Sequence, residues 1–262
     1  MFGTQTIAAL AVGGVLAIII PIAAAVVFKL KNREAWLPSV FIGAGTFLLF
    51  ALVLESLLHQ VMIPLVQNST ALYCIYGSLA AGIFEETGRF VAYKTLMRKH
   101  YSTKNAVFMG IGHGGFEAMA VLGFSLLQYV VLAFSVNALG IDAVVEQTTG
   151  GNAELAETAR QQLEAIAGYN FASMGMGVYE RIIAMIFHVC MSVVVYKAAS
   201  QKGKLWLYPC AVLVHAAMDF PVTLYQRGVL TNIALMYVIL TAFSVIAVFL
   251  AVLLAKKLPD KE

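Results

Sequence analysis

Phe84-Glu85-Glu86-Thr87-Gly88-Arg89-Phe90 sets two adjacent carboxylates and an arginine inside an apolar run of about membrane-spanning length. A charge at the centre of a bilayer costs roughly 2.5–3.5 kcal/mol on insertion scales and is tolerated chiefly where it lines a site. Three further apolar stretches each bring a histidine, His113, His188 and His215. Two of these are followed four residues later by a carboxylate, His113 by Glu117 and His215 by Asp219. The stretch therefore reads as the polar centre of a protein that crosses the membrane several times.

The rest of the chain agrees. Of 262 residues, 61% are hydrophobic and only 12% charged, against the roughly 25% charged of soluble domains. The mean hydropathy is +0.84. That length accommodates about seven helices of about 20 residues with short loops. The expected fold is all-α: one integral membrane domain over residues 1–262, with no separate soluble domain and no nucleic-acid partner. Cys74, Cys190 and Cys210 lie singly in apolar runs, so neither a disulfide framework nor a cysteine metal site is expected. No basic residue precedes the first apolar stretch, so it reads as a retained span rather than a cleaved signal.

The spans are expected at about Thr6–Phe28, Pro38–Ile63, Ala71–Leu96, Lys104–Val136, Met176–Ala198, Leu205–Leu224 and Leu230–Ala255. The fourth is long enough to be tilted or broken. Its glycines 110, 112, 114 and 115 either let helices approach closely or mark an unwound turn. Glu55 and His59 read as interfacial, and Trp36, Trp206 and Tyr208 as interface anchors. Residues 137–175 form the one long polar insertion, with Asp142, Glu146, Glu154, Glu157 and Glu164 against Arg160. Within it, Asn152–Ala167 has the spacing of an amphipathic helix that could lie on the membrane surface.

Basic residues set the expected orientation, because Lys and Arg concentrate on cytoplasmic loops. Thirteen of the seventeen follow spans one, three, five and seven, whereas only Arg160 and Arg227 fall on the opposite side. This places the N-terminus outside and the C-terminus in the cytoplasm. Glu85 then lies nine residues before Lys94, His113 nine after Lys104, His188 nine before Lys197 and His215 eleven after Lys204. At 1.5 Å per residue all four sit about 13–17 Å deep, near the middle of a core about 30 Å thick. Four helices thus present ionisable groups at one level.

Residues four apart share a helix face, so His113 points with Glu117, His215 with Asp219, and Glu85 with Arg89. Arg89 is the natural counter-ion for a buried carboxylate. Glu86, turned about 100° away, can reach a neighbouring helix. A glutamate among histidines can activate water as a general base, with imidazoles stabilising an oxyanion. Equally, His113, His188 and His215 with Glu85 make a zinc donor set. Both routes lead to hydrolysis.

Glu85-Glu86-x-x-Arg89, Gly112-His113-Gly-Gly-Phe-Glu117, Tyr179-Glu180-Arg181 leading to His188, and His215-x-x-x-Asp219 together resemble the YhfC-type intramembrane proteases. These belong with the CAAX-prenyl endopeptidases, bacteriocin-processing enzymes and PrsW-type proteases. The resemblance covers about residues 70–225. It implies that Glu85 is the water-activating glutamate and Glu86 its partner. His188 and His215 would fall in the third and fourth motifs, with Asp219 where the family carries Asp or Asn. The prenyl-endopeptidase branch differs in having one more residue between its glutamates and its arginine, and Phe-x-x-x-His as its second motif. Both zinc-dependent and metal-free glutamate chemistry have been described in this superfamily, so zinc stays open as a cofactor. The expected function is a peptidase in a bacterial cytoplasmic membrane, cutting a membrane-associated peptide or protein. A non-catalytic scaffold or immunity protein, a proton-coupled transporter and a haem protein are the alternatives.

Overall fold

The computed structural model describes residues 1–260, helical almost throughout and without a strand among them. The helices are α1 (Thr4–Lys31), α2 (Pro38–Val66), α3 (Thr70–Lys94), α4 (Thr103–Leu139), α5 (Ile141–Thr149), α6 (Ala153–Ala167), α7 (Phe171–Ser200), α8 (Leu207–Gln226) and α9 (Ile233–Lys257). Six of them (α1, α2, α4, α7, α8 and α9) are long and apolar enough to cross a membrane. The seventh expected span is α3, whose 25 residues also suffice in length. Glu85, Glu86, Arg89 and Lys94 lower its hydropathy, and the first three are charges that the fold encloses.

Both long interrupted helices carry π-helical segments. In α2 the segment is Phe47–Glu55, and in α4 it is Ala118–Gly123, beginning immediately after Glu117. The glycine-rich half of α4 is not unwound: Thr103–Glu117 is regular α-helix. Its glycines serve close approach instead. A Cβ on Gly112 would stand 1.9 Å from the Val40 carbonyl oxygen, and one on Gly43 would stand 2.0 Å from that of Met109. The backbones of α2 and α4 therefore touch, which brings Thr46 up to His113.

The chain divides into two compact units, Met1–Ile20 with Ala118–Arg181, and Pro21–Glu117 with Ile182–Glu262. The first packs Leu10, Leu126, Val136, Val144, Leu163 and Ile166 into its core. The α6 helix expected in the polar insertion forms, with the Asn152 side chain capping it through the Leu155 amide at 3.1 Å. The shorter α5 beside it was not expected from the sequence. All five acidic residues of the insertion are exposed, and Arg160 pairs with Asp142 at 2.6 Å.

The second unit is built around α7, in which every side chain from Met191 to Ala199 is buried. Outward-facing residues of α9 such as Val245 and Phe249 are about two-thirds exposed, at 64% and 67%. An apolar surface of this kind suits lipid rather than water. Near its end the chain is tied down by Asp260, which accepts hydrogen bonds from Lys197 Nζ, the Tyr196 hydroxyl and the Thr103 amide. Burial raises the Asp260 pKa, but the bonds from Lys197 and Thr103 outweigh it and hold the carboxyl at about 2. Lys261, counted among the C-terminal basic residues, lies outside the described residues. Trp36 stacks on His100 with ring centroids 3.8 Å apart. The Tyr208 hydroxyl bonds Thr87 at 2.7 Å.

The α2–α4 crossing has a direct test. Gly112→Ala forces a methyl into a carbonyl and should destabilise by about 1–3 kcal/mol or more. Gly45→Ala, with no atom within 4 Å of the added methyl, should leave stability unchanged or raise it by up to about 1 kcal/mol. Scanning fluorimetry in detergent reads both, and equal melting temperatures for the two variants would contradict so tight a crossing.

Candidate functional site

All eight residues singled out in the sequence lie in the second unit, and its helices bring them together. Glu85, Glu86 and Arg89 come from α3, His113 and Glu117 from α4, His188 from α7, and His215 and Asp219 from α8. The packing of α3 on α8 depends on Gly82, where a Cβ would stand 2.5 Å from the Val212 carbonyl oxygen. Gly88 leaves room for the Phe50 ring of the π segment, which a Cβ would meet at 2.8 Å.

Glu85 Oε2 is the hub. His113 Nε2 lies 2.8 Å from it, Arg89 Nη2 3.6 Å, His188 Nδ1 3.7 Å and His215 Nε2 3.9 Å. Glu86, Arg89 and His113 are completely enclosed, and Glu85, His188 and His215 are buried. Four histidine and glutamate side chains from four helices thus meet at one point, as their common depth in the sequence predicts.

Each imidazole is also held from behind. The Thr46 hydroxyl bonds the Gly43 carbonyl at 2.7 Å, so its oxygen is left to accept from His113 Nδ1 at 2.9 Å. In a neutral ring this tautomer turns the Nε2 lone pair to the Glu85 carboxylate. Two acceptors at 2.8 Å require a proton or a cation between them. His188 Nδ1 accepts from Arg89 Nη2 at 2.7 Å, since a guanidinium can only donate. Its proton is then on Nε2, which pairs with Glu117. His215 Nδ1 bonds Glu86 Oε1 at 2.6 Å, while Nε2 faces Glu85 and lies 3.4 Å from Asp219. Carboxylate- or hydroxyl-backed imidazoles of this kind are how proteins orient metal-ligating histidines.

The donor set fits a metal. One atom each from Glu85, His113 and His188 lies within 4.8 Å of the others, and two imidazoles with a carboxylate are a catalytic zinc set. Buried Glu86 Oε2 and Arg89 Nε have no hydrogen-bond partner among the described residues. Such atoms mark room in the polar centre for a small bound species. Arg89 Nη1 pairs with Glu86, making Arg89 the counter-ion to both glutamates.

Several features escaped the sequence. Thr46 carries no motif and is visible only once α2 meets α4. Glu55 is buried, 3.3 Å from His59, which in turn lies 2.7 Å from the Tyr76 hydroxyl. The four-residue spacing of Glu55 and His59 was the available signal. Glu180 and Arg181 pair with each other and lie in the first unit, apart from this cluster in the chain's division.

A family model described as YhfC intramembrane metalloprotease matches residues 16–240, a range that includes every residue of the cluster. The chain is 31% identical over 255 residues to the "Uncharacterized membrane protein YhfC" of Bacillus subtilis (strain 168), covering 95% of this chain and 96% of that one. No solved structure matches. With apolar helices enclosing a histidine–glutamate centre and a match along most of its length, the chain is an integral membrane protein that belongs to the YhfC intramembrane metalloprotease family.

Proposed function

We propose that this protein is a membrane-embedded endopeptidase that hydrolyses a peptide bond in a membrane-associated peptide or protein. The observation that carries the reading is the convergence of three back-braced histidines and one arginine on Glu85 Oε2. His113, His188 and His215 with Glu85 are the residues that would hold zinc. Zinc there would polarise the scissile carbonyl and bring the pKa of a bound water towards about 7. Glu85, buried and adjacent to the histidines, is placed to take the proton of an attacking water. Glu86 and Thr46 keep His215 and His113 in their tautomers, and Glu117 does the same for His188. Arg89 offsets the paired carboxylates, which could not both stay ionised in a dry interior without a cation. Enclosure of the centre keeps bulk water from competing with its hydrogen bonds.

A second reading has a specific observation behind it. Arg89 Nη2 occupies the His188 Nδ1 lone pair at 2.7 Å, the same atom that faces Glu85. Without a metal, Glu85 would activate water with His113 beside it, and His215 would stabilise the oxyanion. Hydrolysis and the role of Glu85 are common to both readings.

Two outcomes are expected. Glu85→Gln keeps the shape but cannot accept a proton, so cleavage of a membrane-associated reporter in proteoliposomes should fall by at least about 100-fold. Its melting temperature should stay close to that of the parent. Cleavage retained by a folded Glu85→Gln protein would refute the role assigned to Glu85, whereas no cleavage by the parent itself would favour a non-catalytic scaffold. Thr46→Val removes the acceptor behind His113 and should weaken zinc binding by about 10- to 100-fold in a chelator competition. Unchanged zinc affinity would exclude His113 from the donor set.

A further inference from the structure

Glu55, His59 and Tyr76 are a polar set that hydrolysis leaves unused. They link α2 to α3 within the spans, where polar groups are costly and tend to serve a purpose. His59 and Tyr76 form one wall of a cavity of about 280 Å³, and α8 forms the other from Asp219 to Gln226. Gly77 of α3 widens it, since a Cβ there would first meet Thr223 Cγ2 at 3.4 Å. Asp219 joins the cavity to the hydrolytic centre. Its side chain is 32% exposed and lies 3.4 Å from His215 Nε2. No other ionisable group of the centre lines this space.

The lining has a clear electrostatic sign. It offers a carboxylate, two tyrosine rings, an imidazole and an amide, with no lysine or arginine, and Glu55 lies behind His59. An anion would face the Asp219 carboxylate, whereas a cation would find that carboxylate and aromatic faces. The rim already shows the preference: the Arg227 guanidinium lies 4.9 Å from the Tyr73 ring centroid and donates to the Gln67 carbonyl at 2.8 Å. Sites for drug-sized ligands run from roughly 300 to 1,000 Å³, so a cavity at the lower edge takes one long side chain rather than a folded segment.

We infer that this cavity is the substrate subsite that receives a lysine or arginine side chain close to the scissile bond, with Asp219 as its anionic partner. This rests on the peptidase reading and adds a specificity to it. The peptide would reach the centre from the membrane face that carries residues 67–69 and 227–232, its basic side chain seated against Asp219 and its backbone passing towards Glu85.

The test reads binding without cleavage. Glu85→Gln protein carrying Gln226→p-benzoylphenylalanine is placed in phosphatidylcholine nanodiscs with synthetic Leu/Ala helical peptides. These bear lysine, norleucine or glutamate at one boundary position. The lysine peptide should be photo-captured at least about five-fold better than the norleucine peptide, and the glutamate peptide worst. Gly77→Leu, which fills the cavity away from Glu85, should bring lysine capture down to the norleucine level. Thr223→Leu is the second variant should Gly77→Leu lower the melting temperature. Asp219→Asn should erase the lysine preference. Equal capture of the three peptides overturns the subsite, whatever Glu85→Gln does to cleavage. Lysine-dependent capture together with cleavage that survives Glu85→Gln would instead uphold the cation site and refute the assigned role of Glu85. Loss of capture in phosphatidylethanolamine nanodiscs would assign the cavity to a lipid amine and overturn the peptide assignment.

Discussion

The structure depends on holding the buried carboxyl groups of Glu85 and Glu86 against a single arginine inside a membrane protein. Arg89 sits between them, 3.6 Å from Glu85 and in contact with Glu86. Burying a lone carboxylate is far more costly than burying it against a cation with hydrogen bonds filling its remaining positions. Those hydrogen bonds come from two other helices, through His113 and His215, while His188 on a third accepts from Arg89. The helices must therefore approach closely, which explains the glycines at positions 43, 82 and 112 where backbones touch. The polar centre and the tight crossings are one constraint seen from two sides.

Much of this was legible in the sequence, and for physical reasons. Charges in apolar runs are rare enough to stand out, and a constant rise per residue converts distance from a basic loop into depth. That arithmetic aligns Glu85, His113, His188 and His215, which the structure indeed joins through one carboxylate oxygen. Helical periodicity pairs Glu85 with Arg89 and His215 with Asp219, as found. Glu86, turned away from Glu85, reaches α8 at His215.

What stayed hidden depended on tertiary contact. Thr46 is one threonine in an apolar helix until the Gly43–Gly112 crossing brings it to His113. The π segments insert a shift in register that no 3.6-residue pattern announces. The burial of Glu55 goes with its contact to His59 and, through it, with Tyr76 of α3, a tertiary contact that no motif announces. The glycine run of α4 was compatible with either an unwound turn or a close crossing, and only the opposing Val40 carbonyl decides between them.

The resulting picture is of a buried histidine–glutamate centre with a polar cavity reaching it along α8. Asp219 belongs to both, touching His215 on one side and the cavity on the other. Such a group can couple recognition of a side chain to the orientation of the histidine beside Glu85. The most direct test of a metal-assisted centre is the zinc content of detergent-purified protein by elemental mass spectrometry, with His188→Ala and His215→Ala as controls. About one zinc per chain in the parent, lost in either control, is the predicted result. Active, well-folded protein with no metal would contradict the zinc centre and leave water activation to Glu85 and its histidines alone.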